Sequence, residues 1–83
     1  MARTASAAAA YIGARISAAR KARSMTADQL AVASRIDSSN IRGYEAGRSL
    51  MNVHSLVRIA EALEVDAGEL LQGVIAEMFV QER

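Results

Sequence analysis

Apolar residues recur at helical spacing along the N-terminal quarter of the chain. Ile12, Ile16 and Ala19 lie three or four positions apart, which is the period of one face of an α-helix. Basic side chains cover the other faces and the C-terminal end, where positive charge suits the helix dipole. The pattern predicts a first helix over about residues 8–23. We take residues 1–10 as an N-terminal arm, frayed or helical, that leads into it.

Two short helices joined by a tight turn are predicted next. Thr26 and Gln29 have the spacing of a capping box, which starts a second helix that ends near Ser34. A third helix has Asp37 as its N-cap, continues to about residue 46, and is followed by Gly47, where a C-terminal capping glycine belongs. This is the layout of a helix-turn-helix, which lays its second helix in the major groove of DNA.

The strongest amphipathic pattern lies in the C-terminal half of the chain. Its apolar positions follow an i, i+3, i+4, i+7, i+10 spacing: Val53, Leu56, Val57, Ala60 and Leu63. The pattern predicts a fourth helix capped by Asn52. A fifth helix is predicted to begin with Asp66 and Glu69, a pair spaced like a capping box, and to continue to Phe79. Gly73 weakens its middle and marks a candidate kink or break.

Composition supports an all-helical chain. The sequence has 83 residues, no proline and 52% hydrophobic residues, many of them alanine. Its length makes one small domain, whose limited core needs tight packing or oligomerisation. The absence of cysteine excludes disulfides and fits a reducing cytoplasm, where we expect the protein. No apolar run approaches the roughly 18 residues of a membrane span, so we expect no membrane partner.

Charge is distributed unevenly along the chain. The net charge is +1, but residues 1–48 hold eight basic and three acidic residues, whereas residues 49–83 hold two basic and six acidic residues. This asymmetry predicts an anion-binding N-terminal half and a C-terminal half with another task.

The sequence offers little for catalysis or ligand binding. It contains no nucleophile–base pair, glycine-rich phosphate loop or metal-spaced cluster, and the single histidine, His54, is poor evidence for a metal site. We therefore expect no enzyme activity, metal, cofactor or small-molecule ligand.

The sequence resembles the Cro/CI-type, phage-repressor-like helix-turn-helix domain over about residues 12–72. The matching positions are Arg20, Leu30, Ala31, Ile36, Ile41, Glu45, Gly47, Leu56, Ile59, Ala60, Leu63, Val65, Leu70 and Leu71. The resemblance implies an all-α, five-helix, lambda-repressor-like DNA-binding domain over residues 11–72, with the helix-turn-helix at helices 2 and 3. It also implies a homodimer on a palindromic double-stranded DNA operator and a buried ion pair between Arg20 and Glu45.

Three positions depart from the family pattern. Ala27 stands where the family often has a phosphate-binding glutamine, and Met51 stands where a proline usually precedes helix 4. Arg35 occupies the turn position that is commonly glycine, so we expect it to adopt a positive φ beside Ile36, a buried plug. These departures concern individual DNA contacts more than the fold.

The predicted DNA contacts lie on and around helix 3. Arginine can bind guanine bidentately and asparagine can bind adenine, so the start of this helix supplies the predicted base contacts: Ser38, Ser39, Asn40 and Arg42. The predicted contacts to the DNA backbone lie at the start of helix 2, in the turn and after helix 3: Thr26, Ala27, Arg35, Arg48 and Ser49. The alternatives are a solvated helix face for the first set and ordinary capping and loop solvation for the second.

An apolar stripe near the C-terminus is the predicted dimer interface. It consists of Leu71, Val74, Ile75, Met78 and Phe79. It extends into a C-terminal helical extension, residues 73–83, and an exposed apolar patch in this position is typical of a partner site. The alternative is that the stripe docks back onto helix 1.

The size of the chain and its extension are also similar to those of the controller proteins of restriction–modification systems. Prophage repressors and antitoxins share the same domain. The alternative function is therefore a protein-interaction or antitoxin module that binds a partner protein through the apolar C-terminal helix.

Overall fold

The computed structural model describes residues 5–80, and all regular structure in this range is helical. The α-helices are α1 (Ala7–Ala22), α2 (Ala27–Ser34), α3 (Ser38–Glu45), α4 (Val53–Leu63) and α5 (Ala67–Leu71), and a short 3-10 helix (Ala76–Phe79) follows them. The predicted all-α, five-helix fold is confirmed. Within residues 5–80, no helix combines the length and apolar character needed to cross a membrane.

The helix starts are set by local side-chain caps, most of which were predicted. Thr26 and Gln29 form the capping box of α2, with hydrogen bonds of 3.0 and 2.8 Å between side chain and backbone. Asn52 caps α4 by accepting from the Ser55 amide at 2.8 Å. The capping box predicted for α5 is wrong, because Asp66 makes no side-chain cap and its carbonyl oxygen, not its carboxylate, accepts from the Glu69 amide.

Three helices end on a non-glycine residue with left-handed backbone geometry. Ser24, Arg35 and Glu64 have φ between +57° and +59°, and the positive φ expected for Arg35 is confirmed. Single left-handed residues of this kind satisfy the last helical carbonyls but strain a side chain that has a Cβ. Gly47 ends α3 in the same way at φ +75° without that strain.

The core is formed by large aliphatic side chains from the first four helices. The largest fully buried side chains are Ile16, Leu30, Ile41, Ile59 and Leu63. The predicted plug Ile36 is buried. The apolar stripe predicted for α4 is wrong at two positions, because Val53 and Val57 are 75% and 40% exposed while Ile59 points into the core.

Helices α1 and α3 cross at close range. A Cβ at Gly13 would lie 2.1 Å from the carbonyl oxygen of Tyr44 and 2.9 Å from that of Glu45, so only glycine fits without a backbone shift. Just beyond α3, a Cβ at Gly47 would lie 2.8 Å from the Cα of Ala10. The backbones of the two helices therefore touch directly.

Part of the predicted N-terminal arm, residues 1–10, lies in the first helix. Helix α1 already begins at Ala7, and Ala8 and Ala9 are fully buried. Ser6 caps the helix, and the Ala5 amide donates to the Gly47 carbonyl at 2.8 Å. Residues 5–10 therefore belong to the folded domain, and residues 1–4 of the predicted arm lie outside the described residues.

The long fifth helix predicted to reach Phe79 breaks at Gly73, the position marked as a candidate break. Gly73 has φ +88°, and a Cβ there would lie 2.7 Å from the hydroxyl of Tyr11. That hydroxyl donates to the Gln72 carbonyl at 2.6 Å. Within the predicted helical extension, residues 73–83, residues 76–79 form a 3-10 helix that packs against α1, and residues 81–83 lie outside the described residues.

Candidate nucleic-acid interface

An ion pair attaches the end of α3 to α1. The Nε and Nη2 atoms of Arg20 donate to the two carboxylate oxygens of Glu45 at 2.7 and 2.9 Å, and Nη1 donates to the Met25 carbonyl at 2.7 Å. The two side chains are only 13% and 11% exposed. The hydrogen bond with Glu45 raises the pKa of Arg20 above its ordinary value, so Arg20 is charged throughout the physiological range. The pair fixes where α3 lies relative to α1.

The turn between α2 and α3 is held by a residue that the sequence analysis did not single out. Arg58 of α4 donates from Nε to the Ser34 carbonyl at 2.9 Å and from Nη2 to the Arg35 carbonyl. Its guanidinium therefore satisfies carbonyls at the strained end of α2. One feature of the sequence could have pointed to Arg58. It is one of only two basic residues in residues 49–83, and it lies between two apolar residues, Val57 and Ile59, of an amphipathic helix.

The predicted base-contact residues lie among the first five residues of α3. Ser39, Asn40 and Arg42 are exposed to solvent, whereas Ser38 is half-buried on the side nearer the core. Ser39 and Arg42 are three positions apart and therefore share a helix face. The structure thus presents a serine, an asparagine and an arginine on the solvent side of α3, away from the buried Ile41.

The N-cap of α3 places a carboxylate at the same end of the helix. Asp37 accepts from the Ser39 amide at 3.1 Å and also from the Ser39 hydroxyl. Both hydrogen bonds lower the pKa of Asp37, and the one from the Ser39 hydroxyl has the larger effect. The hydroxyl proton of Ser39 is consequently engaged in the cap, which leaves its oxygen as the atom that can accept from a base.

A second carboxylate lies beside the predicted base-contact arginine. The Nη2 atom of Arg42 and the Oδ1 atom of Asp28, in the first turn of α2, are 2.7 Å apart. Both side chains remain largely exposed, at 52% and 69%. The contact joins two helices across the turn, so no local sequence pattern predicts it.

The predicted DNA-backbone residues border α3 on both sides along the chain. Thr26 is exposed, but its oxygen and its amide are both used in the capping box of α2. Ala27 is half-buried against the core, whereas Arg35 in the turn and Arg48 after α3 are exposed. Ser49 is exposed as well, and its hydroxyl lies 3.2 Å from where a Cβ at Gly43 would stand.

The predicted dimer residues divide into two groups. Val74 and Met78 are half-buried, and Val74 packs against the core, in line with the docking alternative. Leu71, Ile75 and Phe79 are 37%, 57% and 43% exposed. A second group of exposed apolar side chains, which the sequence analysis did not identify, surrounds the start of α4: Leu50, Val53 and Val57.

Comparison with known proteins gives one family match that covers most of the chain. Residues 13–74 match the family described as a helix-turn-helix domain. No curated protein matches the chain.

Several solved structures are similar to the whole domain. The restriction–modification controller protein C.AhdI from Aeromonas hydrophila is 27% identical, with a TM-score of 0.73 over 75% of this chain and 94% of its own. The clp gene regulator ClgR from Corynebacterium glutamicum is 25% identical, with a TM-score of 0.74 over 88% of this chain and 95% of its own. The controller protein C.Esp1396I is 26% identical, with a TM-score of 0.71 over 89% and 95%.

Proposed function

This chain belongs to the helix-turn-helix domain family and is a DNA-binding regulator of transcription, and we propose that it binds a palindromic operator as a homodimer. The observation that carries the proposal is the placement of α3. Its polar residues Ser39, Asn40 and Arg42 face solvent, while the Arg20–Glu45 pair holds its other end against α1. A helix fixed in this way can enter the major groove without reorganisation.

The proposed division of labour follows from the chemistry of the exposed side chains. Arg42 and Asn40 carry the donor and acceptor patterns that read guanine and adenine edges. Arg35 and Arg48, exposed before and after α3, supply charge for phosphates. Neutralised phosphates release counterions, so the affinity for DNA should fall steeply as salt concentration rises.

The proposed dimer supplies the second half of the recognition. Two copies related by a two-fold axis would place their α3 helices in successive major grooves, about 34 Å apart. The exposed apolar residues Leu71, Ile75 and Phe79 are the proposed contact between the copies. Because the proposed partner is double-stranded DNA of an operator, we place the protein in the cytoplasm.

Selection of bound sites from a random pool of DNA duplexes tests this function. The expected result is enrichment of an inverted repeat whose two halves lie one helical turn apart. Failure to enrich any sequence over random competitor at moderate salt would contradict the proposal. It would favour the alternative, a module that binds a partner protein.

Substitution of Arg42 tests the role of α3 in that selection. Arg42→Ala should relax the preference at one base position of each half-site, by about 1–3 kcal/mol of discrimination. The matched control is Arg23→Ala, which removes an exposed arginine that pairs with Glu64 and lies at the end of α1. The control should leave the selected sequence unchanged.

A further inference from the structure

Asp28 is an acidic residue on a surface proposed to face a polyanion. Its carboxylate lies 2.7 Å from Nη2 of Arg42, and 69% of its side chain is exposed. Thr26 and Asp37 are the N-caps of α2 and α3, whereas Asp28 is the second residue of α2, where its charge suits the helix dipole, and it contacts α3. Capping therefore does not account for it.

We propose that Asp28 is a specificity-determining residue, which weakens the binding of Arg42 to phosphates more than its binding to a base edge. The inference rests on the proposed DNA-binding function. In this proposal the carboxylate of Asp28 repels DNA phosphates, and repulsion of this kind lets a protein discriminate against the wrong partner.

The geometry of the pair leaves Arg42 able to bind a base. The contact joins a single guanidinium nitrogen to a single carboxylate oxygen, Nη2 to Oδ1. A guanidinium has five N–H donors in a planar fork, so one edge with two parallel donors remains for the O6 and N7 atoms of guanine. Arg42 can therefore contact guanine and keep its bond to Asp28.

The same pair disfavours a phosphate. A phosphate attracts Arg42 through charge, and the carboxylate of Asp28, 2.7 Å away, offsets part of that charge. A phosphate that approaches Arg42 also meets the negative charge of Asp28, whereas a guanine edge is neutral. Random DNA, which is bound almost entirely through phosphates, should be affected more than the operator.

The positions of both partners are set by the fold around them. Arg20 and Glu45 hold the C-terminal end of α3, and Arg58 holds the turn between α2 and α3. Asp28 and Arg42 consequently lie opposite one another without a conformational change. An exposed ion pair of this kind changes an equilibrium by about 1.5- to fivefold, which sets the size of the expected effect.

Replacement of Asp28 by asparagine tests the inference. The dissociation constants of Asp28→Asn and the parent chain are measured on the selected operator and on a random duplex of equal length, at several salt concentrations. We expect the variant to bind random DNA about 1.5- to fivefold more tightly. Its salt dependence on random DNA should steepen by about one released counterion. Its affinity for the operator should rise less, so the ratio of the two affinities falls.

A matched control separates this effect from net charge. Glu64→Gln removes one negative charge from an ion pair of similar exposure, with Arg23 at 42% and Glu64 at 70%, outside α2 and α3. It should leave the affinity ratio unchanged. In a chain that also carries Arg42→Ala, Asp28→Asn should strengthen binding to random DNA less than it does in the parent chain, because the Asp28–Arg42 pair is already absent and only the repulsion between Asp28 and the phosphates remains to be removed.

Two results would overturn the inference. Equal gains on operator and random DNA would show a general charge effect. A loss of operator affinity with unchanged random affinity would show that Asp28 orients Arg42 toward the base. Both differ from failure of the proposed function, in which the parent chain would not prefer the operator at all.

Discussion

The guanidinium of Arg20 and the carboxylate of Glu45 meet through two hydrogen bonds of 2.7 and 2.9 Å, with side chains 13% and 11% exposed. A pair this far from water is stable only while both charges are present, because either partner alone would be a poorly solvated charge. The same pair joins the helix proposed to read DNA to the longest helix of the domain.

Loss of either partner should destabilise the domain more than loss of both. Arg20→Met or Glu45→Leu should each lower the free energy of unfolding by about 3 kcal/mol, because each leaves one charge unpaired. The double variant should lose less stability than either single variant, since it leaves no charge unpaired. Urea denaturation of the four proteins gives the coupling energy. Strictly additive losses would contradict the pairing.

The crossing of α1 and α3 should not tolerate a methyl group at Gly13. The new Cβ would stand 2.1 Å from the Tyr44 carbonyl oxygen, and a backbone atom cannot rotate away as a side chain can. Gly13→Ala should therefore lower the free energy of unfolding by about 1–3 kcal/mol or more, as is typical when a well-packed site is overfilled.

Gly68 provides the matched control for that substitution. It lies in α5 with nothing within 4 Å of the position of a Cβ. Gly68→Ala should raise the free energy of unfolding by up to about 1 kcal/mol, because alanine favours helix. Thermal unfolding of the two variants compares them directly, and similar midpoints would show that the close crossing does not matter.

Local patterns in the sequence were enough to place most helix boundaries. The N-caps Thr26 and Asn52 each bond to a residue three positions further along the chain. Caps of this kind can therefore be predicted from short stretches of sequence. The same holds for Gly47, whose conformation ends α3. The all-helical class followed from these signals and from the absence of proline.

Contacts between distant helices were beyond sequence reasoning. Arg58 was passed over because its partners, the Ser34 and Arg35 carbonyls, are more than twenty residues away. The apolar periodicity predicts too long an α5 for the same reason. The Gln72 carbonyl accepts a hydrogen bond from the hydroxyl of Tyr11 in α1, which lies 61 residues earlier in the chain. The Arg20–Glu45 contact is a long-range contact that the family resemblance implies, and periodicity alone does not predict it.

The N-cap of α3 should make the free energy of unfolding depend on pH in the acid range. Hydrogen bonds from Ser39 lower the pKa of Asp37 in the folded chain relative to the ordinary value near about 3.9. The stabilising contribution is therefore complete above the unfolded-state pKa and is lost as the pH falls through the lower folded-state pKa. Asp37→Asn keeps a good N-cap without a titrating group, so it should lose less stability between neutral pH and acid than the parent chain.

The measurement is urea denaturation of both chains from neutral pH to the lowest pH at which they fold. Other carboxylates titrate equally in the two proteins, so the difference between the two curves isolates Asp37. The difference should be constant above the unfolded-state pKa and change only in the acid range. Parallel curves throughout would contradict the role assigned to this cap.

Two exposed apolar surfaces compete as the proposed contact between copies. One includes Leu71, Ile75 and Phe79 at the C-terminal end, and the other includes Val53 and its neighbours at the start of α4. Ile75→Asp should convert the dimer to a monomer, because it places a charge in the proposed interface where its desolvation is unfavourable. Val53 is 75% exposed, more than Ile75 at 57%, so Val53→Asp is the matched control and should remain dimeric.

Sedimentation equilibrium over a range of protein concentrations distinguishes the two variants, with thermal unfolding to show that both fold. The Ile75→Asp monomer should still bind DNA through α3, but one half-site at a time, so its affinity for the full operator should fall to that for an isolated half-site. The reverse pattern, with Val53→Asp monomeric and Ile75→Asp dimeric, would move the interface to α4. In that case the C-terminal apolar residues would serve the docking of the 3-10 helix onto α1, which the half-burial of Val74 and Met78 already shows in part.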